Sequence, residues 1–162
     1  MIDGSYVRAH QHSQNAAKGS ATAIGRSAGG PTSKMHFIAD SHGNPIDFQV
    51  TAGNVHDVAA APDLISNIPE AAENLLADKG YDSDPLRDQI RLQNMRPIIP
   101  RRENSSKENP ECDKGIYKHR HLVENLFCKI KSYRAVATRY DKLASSFDST
   151  ICLACIIIWI KL

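Results

Sequence analysis

The sequence predicts an α/β protein in which a mixed sheet is flanked by helices. Its first part reads as one strand followed by a strand hairpin, and its second part alternates helices with short strands. Strands in a meander followed by strand–helix alternation are typical of a mixed sheet with helices on its faces. The composition, 41% hydrophobic and 23% charged over 162 residues, fits one domain with a sizeable core. We therefore expect residues 1–162 to form a single domain.

The first predicted strand lies at the very start of the chain. In "MIDGSYVRAH" alternate residues share a side of the strand, so Asp3, Ser5 and Val7 face the same way. Only two residues precede Asp3, and we expect this first strand to be abbreviated. Residues 11–33 are rich in Gly, Ser and Ala, which predicts a long flexible loop.

Two β-rich runs then predict a hairpin, because "KMHFIAD" and "PIDFQVTAG" are separated by the turn-forming "SHGN". The elements expected after it are helices and strands in turn: a helix in "VHDVAAAPDLISNI", a strand in "NLLADKGY", a helix in "SDPLRDQIRLQN", a strand in "MRPIIPRR" and a long helix over about 115–140.

An apolar helix is predicted over about 143–162. Its run "ICLACIIIWI" has ten residues, whereas a membrane span needs about twenty, so we expect a buried or docked helix and no membrane partner. Cys152 and Cys155 form a C-x-x-C inside this run, where core packing explains them better than zinc or redox chemistry. The four cysteines show no disulfide spacing and no signal peptide is evident, so a reducing cytoplasm is expected.

Positive charge is concentrated in one segment. The formal net charge is only +2, but between Lys114 and Lys142 eight basic residues accompany two acidic ones. Such a run is typical of nucleic-acid-binding surfaces and also of ordinary solvated surfaces. Histidines at positions 10, 12, 119 and 121 do not form a ligand set with a shared face, so structural zinc is not expected.

The long predicted helix in this segment carries a narrow polar stripe. At about 100° per residue, four polar residues fall within an arc of about 60° beside the apolar face. They are Tyr117, Arg120, Glu124 and Lys131. A solvated face would spread its charges over the whole remaining arc, so the stripe is expected where the helix meets a sheet edge.

One further carboxylate, Asp78, follows an apolar strand directly. Carboxylates at strand ends in α/β sheets face the crevice where ligands bind. On local evidence alone, a turn or cap role is favoured for Asp78.

The spacing Tyr-x2-Arg-x3-Glu-x6-Lys of the stripe resembles the signature around the last acid of DDE transposases from bacterial insertion sequences. "LADKGYDS" resembles the segment with their second acid, "MIDGSYVRAHQHS" the segment with their first, and the region between them resembles the insertion-sequence-five type. The resemblance covers essentially the whole chain. It implies a ribonuclease-H-like fold, a mixed five-stranded sheet with three antiparallel and then parallel strands, and a catalytic trio of Asp3, Asp78 and Glu124.

The resemblance also implies metal-dependent chemistry on DNA. Three converging carboxylates repel one another, and two Mg²⁺ ions, with Mn²⁺ as a substitute, would relieve this and support displacement at phosphorus. Arg120 and Lys131 are expected to contact phosphates beside the scissile bond. Tyr117 is expected to stack on a base or bind a phosphate, or simply to cover the sheet edge. Arg26 and Lys34, in the predicted flexible loop, are expected to contact the DNA backbone.

Three functional hypotheses follow. The leading one is a transposase catalytic domain without the N-terminal DNA-binding domain, which cleaves terminal inverted repeats and transfers the 3′-hydroxyl into target DNA, as a homodimer associated with the nucleoid. The second is a truncated, inactive fragment that binds DNA or a full-length partner. Because Asp3 stands so near Met1, the active form is expected to be fused by frameshifting to the product of an upstream overlapping reading frame. The third is a stand-alone ribonuclease-H-like nuclease.

Overall fold

The computed structural model describes residues 1–15 and 21–161 and shows a mixed sheet with helices packed on both faces. The strands are β1 (Ile2–Ala9), β2 (Gly25–Ser27), β3 (Gly30–Ala39), β4 (Pro45–Ala52), β5 (Asn74–Leu76), β6 (Arg96–Ile98) and β7 (Thr138–Arg139). The helices are α1 (Asp57–Ser66), α2 (Asp84–Leu92), α3 (Lys114–Tyr117), α4 (His121–Lys131), α5 (Arg134–Ala137) and α6 (Ala144–Ile160). This architecture confirms the predicted α/β class and agrees with a ribonuclease-H-like fold.

The centre of the sheet is β3. Along one edge it pairs antiparallel with β1 over seven residues, from Ile2 opposite Ile38 to Arg8 opposite Thr32. Along its other edge it pairs antiparallel with β4 and, beyond β4, with β2. β7 pairs parallel with the end of β1 and makes the sheet mixed.

The arrangement of the parallel strands differs from the expectation. β5 and β6, expected as the parallel strands of the five-stranded sheet, are hydrogen-bonded to each other as a separate parallel pair, and β2 and β7 complete the five strands instead. A cleft of about 610 Å³, lined by Met1, Ile38 and Leu75 among others, opens where β5 would meet the sheet. With this cleft between them, β5 makes no ladder with β1.

The segment 11–33, predicted to be a flexible loop, contains regular structure in its described part. A turn at Ala28 and Gly29 joins β2 to β3, with Ser27 opposite Gly30. Gly30 adopts φ +92°, a conformation that glycine reaches without strain. The glycines that suggested a loop therefore make a tight hairpin, while residues 16–20 of the predicted loop lie outside the described residues.

The single long helix predicted over about 115–140 is also wrong. Helical backbone continues from α3 through a 3₁₀ turn into α4, which ends at Lys131, and the chain then becomes extended at Tyr133 and again at Thr138. Arg139 is buried on β7, where its Nη1 donates to Ser33 Oγ at 2.6 Å. The pairing of β7 with β1 and the bond from Arg139 to Ser33 hold residues 138–139 in extended backbone, which a helix continuing to Tyr140 would not allow.

The last helix, α6, packs one side against the core through Phe147, Ile151, Ala154 and Ile158. Its other side leaves apolar side chains exposed, Trp159 among them. Among the residues described, none of the helices combines the length and hydropathy required to cross a membrane.

Two hydrophobic clusters lie on opposite faces of the sheet. Val7 and Phe37 belong to the cluster beneath α4 and α6, whereas Ile2 and Ile38 belong to the cluster beneath α1 and α2. Because side chains alternate along a strand, Asp3 shares the face of Val7. The fold therefore directs Asp3 toward α4.

Phe37 is the centre of the first cluster. It is fully buried, stacks on Phe48 at 5.4 Å between ring centroids and meets Phe127 edge-on at 5.8 Å. We expect Phe37→Ala to lower the free energy of unfolding by about 3–5 kcal/mol, through lost burial and the cavity that remains. Leu92→Ala, at a side chain that is 84% exposed, should stay within about 0.5 kcal/mol. Urea unfolding measures both, and equal effects would contradict this description of the core.

Candidate active site

Asp3 stands near the start of β1 and faces α4. Its Oδ1 accepts a hydrogen bond from the Gly4 amide at 2.8 Å, and its Oδ2 accepts one from Arg120 Nη1 at 2.9 Å. Its side chain is 17% exposed. Asp3 is thus held by its own strand on one oxygen and by the helical segment on the other.

Arg120 joins two carboxylates. Besides its bond to Asp3, 117 residues away in sequence, its Nη2 donates to Glu124 Oε1 one helical turn further on. Asp3 and Glu124 therefore converge on the two terminal nitrogens of one guanidinium. Glu124 is the most open of the three, with 52% of its side chain exposed.

Asp78 follows β5 after one residue and caps the 3₁₀ turn Lys79–Tyr81, because its Oδ1 accepts the Gly80 amide at 2.7 Å. Its charge also acts on Asp3. Burial raises the pKa of Asp3 above its ordinary value, and the charges of Asp78 and Asp57 raise it further against the opposing Gly4 hydrogen bond and Arg120 charge. The structure thus brings the three predicted acids to one region, with Asp78 oriented by its own turn.

Carboxylate oxygens are the ligands that hard divalent cations prefer. Within residues 1–15 and 21–161, no three His, Cys, Asp or Glu side chains converge tightly enough to form a metal-binding group. The cationic group that Asp3 and Glu124 share is the Arg120 guanidinium. The carboxylate oxygens are therefore chemically suited to a hard cation, and in this arrangement Arg120 compensates the charge of Asp3 and Glu124.

The other two stripe residues flank this group. Lys131 donates through Nζ to Ser5 Oγ at 2.6 Å and to the Tyr6 carbonyl at 2.9 Å, and burial lowers the pKa of Lys131. Tyr117 is half-buried, and burial, with a contribution from the charge of Asp78, raises its pKa. The polar stripe therefore runs along β1, from Asp78 and Asp3 toward Ser5.

Arg26 and Lys34 do not lie in a flexible loop. Arg26 is exposed on β2 and remains available to a ligand. Lys34 is on β3, only 4% exposed, and donates to Asp57 Oδ2 at 2.7 Å. The prediction that Lys34 is a mobile DNA contact is therefore wrong, because the Lys34 ammonium is buried and already paired.

Asp57 was missed from the sequence, although it lies beside the predicted acids. It begins α1, and a Cβ on Gly4 would approach its Oδ1 to 2.3 Å, so any larger residue next to Asp3 on β1 would have to displace the Asp57 carboxylate. Burial alone would raise the pKa of Asp57, but hydrogen bonds from His36 and Lys34 outweigh burial and lower it. Lys34 and His36 share a strand face by their spacing, but no sequence signal identifies Asp57 as their partner.

Tyr81 is a second residue that sequence reasoning missed. Its side chain is buried, and its hydroxyl has no hydrogen-bond partner among the described residues. Burial raises the pKa of Tyr81, and the charges of Asp57, Asp3 and Asp78 raise it further, so its hydroxyl stays protonated near three carboxylates. The only sequence signal was its place in the segment that contains Asp78.

A buried ion pair fixes the chain that follows Asp78. Arg87 is fully buried and donates to Asp82 Oδ1 through Nη2 at 3.0 Å, while Arg101 donates to the same oxygen at 3.1 Å and the Arg102 amide to Oδ2 at 2.9 Å. Burial raises the pKa of Asp82, but these donors outweigh burial and lower it below the ordinary 3.8. Asp82 thereby links the turn after β5 to the chain after β6.

We expect Asp82→Asn to lower the free energy of unfolding at pH 7 by about 3 kcal/mol, because it leaves Arg87 buried without its counter-charge. The folded-state pKa of Asp82 is depressed, so its contribution is present above pH 3.8 and is lost as the pH falls through the folded value. The difference between wild type and variant should therefore shrink in urea unfolding below that value. Asp88→Asn, in an exposed pair with Arg91, should change stability by at most about 0.5 kcal/mol; a pH-independent Asp82 effect would contradict the assignment.

Comparison with known proteins adds independent information. Residues 1–159 match the family model described as "Transposase DDE domain". A "putative transposase for insertion sequence element IS6501" from Brucella ovis is 33% identical over 131 residues, which cover 80% of this chain and 99% of that protein. A "putative transposase for insertion sequence element IS402" from Burkholderia cepacia is 28% identical over 138 residues, 79% of this chain and 63% of that protein. No solved structure matches the chain significantly.

Proposed function

The chain belongs to the DDE transposase family of insertion sequences, and from this premise we propose that it is a catalytic domain that cuts DNA at the ends of its element and transfers the 3′-hydroxyl into target DNA. The observation that carries the proposal is the convergence of Asp3 and Glu124 on Arg120, with the charge of Asp78 acting on Asp3. These acids come from three separate elements, β1, the chain after β5 and α4.

We propose that Asp3, Asp78 and Glu124 hold two Mg²⁺ ions, with Mn²⁺ as a substitute. Bound there, the ions would polarise the attacking water or hydroxyl and stabilise the leaving oxygen at phosphorus. The protein's own contribution is to hold the carboxylates in place. Gly4 and Gly80 amides fix one oxygen each of Asp3 and Asp78. The second oxygen of Asp3 is bonded by Arg120 in this arrangement.

The proposed DNA contacts are the basic and aromatic residues around this group. Lys131 lies along β1 from Asp3 and bonds only neutral groups, so its charge is available to a phosphate. Tyr117 is half-buried, and we propose that it offers a ring to a base. Arg26, exposed on β2, is proposed as a further backbone contact. Lys34 stays outside this proposed interface because Asp57 holds its ammonium.

The partners proposed for this activity are the element's terminal inverted repeats, target DNA and a second copy of the chain, acting at the nucleoid in the cytoplasm. Fusion to the product of an upstream reading frame by frameshifting is part of the same proposal. A catalytically silent fragment would bind DNA and leave it intact, and a stand-alone nuclease would cut without preference for terminal repeats, so one assay separates the three.

We expect the full chain with Mg²⁺ to cut duplexes that carry the element's terminal repeat in preference to scrambled duplexes. Glu124→Gln and Asp78→Asn should each lower the cleavage rate by at least about 100-fold, since even outer partners of metal ligands are worth about 10–100-fold. Asp63→Asn, an exposed acid on α1, is the matched control and should cut at the wild-type rate. Undiminished cleavage in the two site variants would overturn the proposed trio.

DNA affinity tests the proposed contacts separately from catalysis. Lys131→Ala and Arg26→Ala should each weaken binding and reduce the salt dependence of log K by about one unit, because each removes about one phosphate contact. Fluorescence anisotropy over a NaCl series measures the slope. Lys107→Ala, an exposed lysine paired with Asp84, should leave the slope unchanged; an equal slope for all three variants would contradict the interface.

A further inference from the structure

The Arg120 guanidinium lies between Asp3 and Glu124, two of the acids proposed as cation ligands. Its two terminal nitrogens donate to Asp3 Oδ2 and to Glu124 Oε1, so both oxygens point at one positively charged group. Arginine keeps its charge in proteins because its pKa lies above about 12. The guanidinium can therefore release the two carboxylates only by moving away from them, because it does not lose its proton.

A divalent cation bound to the same two oxygens would overlap the guanidinium sterically, and the two positive charges would repel each other. Asp3 has one other bond, to the Gly4 amide through Oδ1, so Oδ2 is the oxygen that Arg120 and a cation share. Glu124 has no other partner than Arg120 among the described hydrogen bonds. A cation that binds Asp3 through Oδ2 and Glu124 through Oε1 therefore competes directly with Arg120.

A phosphate offers Arg120 an equivalent partner. The planar fork of a guanidinium fits a phosphate as well as a carboxylate, so exchange between the two keeps its hydrogen bonds. The side chain is 20% exposed and can reach solvent without crossing the core. Lys131, on the same stripe, makes no contact with a carboxylate and gives up no such pair when it binds phosphate.

We propose that Arg120 couples cation binding to DNA binding by acting as an exchangeable counter-ion for Asp3 and Glu124. In the free chain it compensates the two carboxylates and opposes the cation. A DNA phosphate draws it away, which leaves the carboxylates for the cation, and the cation in turn frees the guanidinium for DNA. Such coupling is reciprocal by thermodynamic linkage. The inference rests on the proposed function, because it takes Asp3 and Glu124 as cation ligands.

The test measures binding and not turnover. Mn²⁺ binding to the DNA-free chain is followed by the electron paramagnetic resonance of free Mn²⁺, and affinity for a terminal-repeat duplex by fluorescence anisotropy with and without Mn²⁺. Arg120→Gln should bind Mn²⁺ about tenfold more tightly than wild type, while Mn²⁺ should raise wild-type DNA affinity about tenfold and that of the variant by much less, within the usual range of coupling. Circular dichroism confirms that the variant is folded.

Lys131→Gln is the matched control, because it removes one positive charge from the same stripe without freeing a carboxylate. It should change Mn²⁺ affinity by at most about twofold through the screened general field. Equal Mn²⁺ affinity of wild type and Arg120→Gln, or an equal gain in Lys131→Gln, overturns the coupling and leaves the proposed function standing. Mn²⁺ binding that Glu124→Gln and Asp78→Asn do not weaken, or no Mn²⁺ binding in any variant, overturns the proposed function and the coupling with it.

Discussion

The register of β1 against β3 is the constraint on which the rest of the site depends. Ile2 and Val7 are both buried, on opposite faces of β1, and each belongs to a different hydrophobic cluster. A slip of one residue would bring every side chain of β1 to the other face, exposing Asp3 to α1 and removing it from Arg120. The packing of Ile2 and Val7 in these two clusters therefore fixes the position of the Asp3 carboxylate on β1.

Charge compensation is the second organising feature, and it occurs on both faces of β1, at the neighbouring residues Asp3 and Gly4. On the α4 side of β1, Asp3 pairs with Arg120. On the α1 side, Asp57 lies against Gly4 and pairs with Lys34 and His36 on β3. The charges of Asp78 and Asp57 raise the pKa of Asp3, and Asp57 is itself held by Lys34 and His36. The region therefore combines several acids with a few basic groups that pair with them.

The sequence predicted what depends on local periodicity and missed what depends on distant pairing. Alternation along β1 placed Asp3 and Ser5 on one face, and helical spacing placed Arg120, Glu124 and Lys131 on one stripe; in the structure that face and that stripe meet. The long helix was wrong because Arg139 binds Ser33 across the sheet, and Lys34 was misplaced because its partner Asp57 lies on another element. The glycines of "GRSAGGP" indicate flexibility in isolation and a tight turn once β3 is available to pair.

The two basic residues of the stripe differ in a way that their spacing does not reveal. Arg120 is paired with two carboxylates, so its charge is neutralised within the protein until another ligand competes for the guanidinium. Lys131 is engaged only by a hydroxyl and a carbonyl, which satisfy its hydrogen bonds but leave its charge uncompensated. Burial lowers the pKa of Lys131. An anion brought alongside β1 would therefore meet an uncompensated charge first at Lys131. Arg120 can join it only by giving up Asp3 or Glu124, so an anion engages the two basic residues of the stripe in that order.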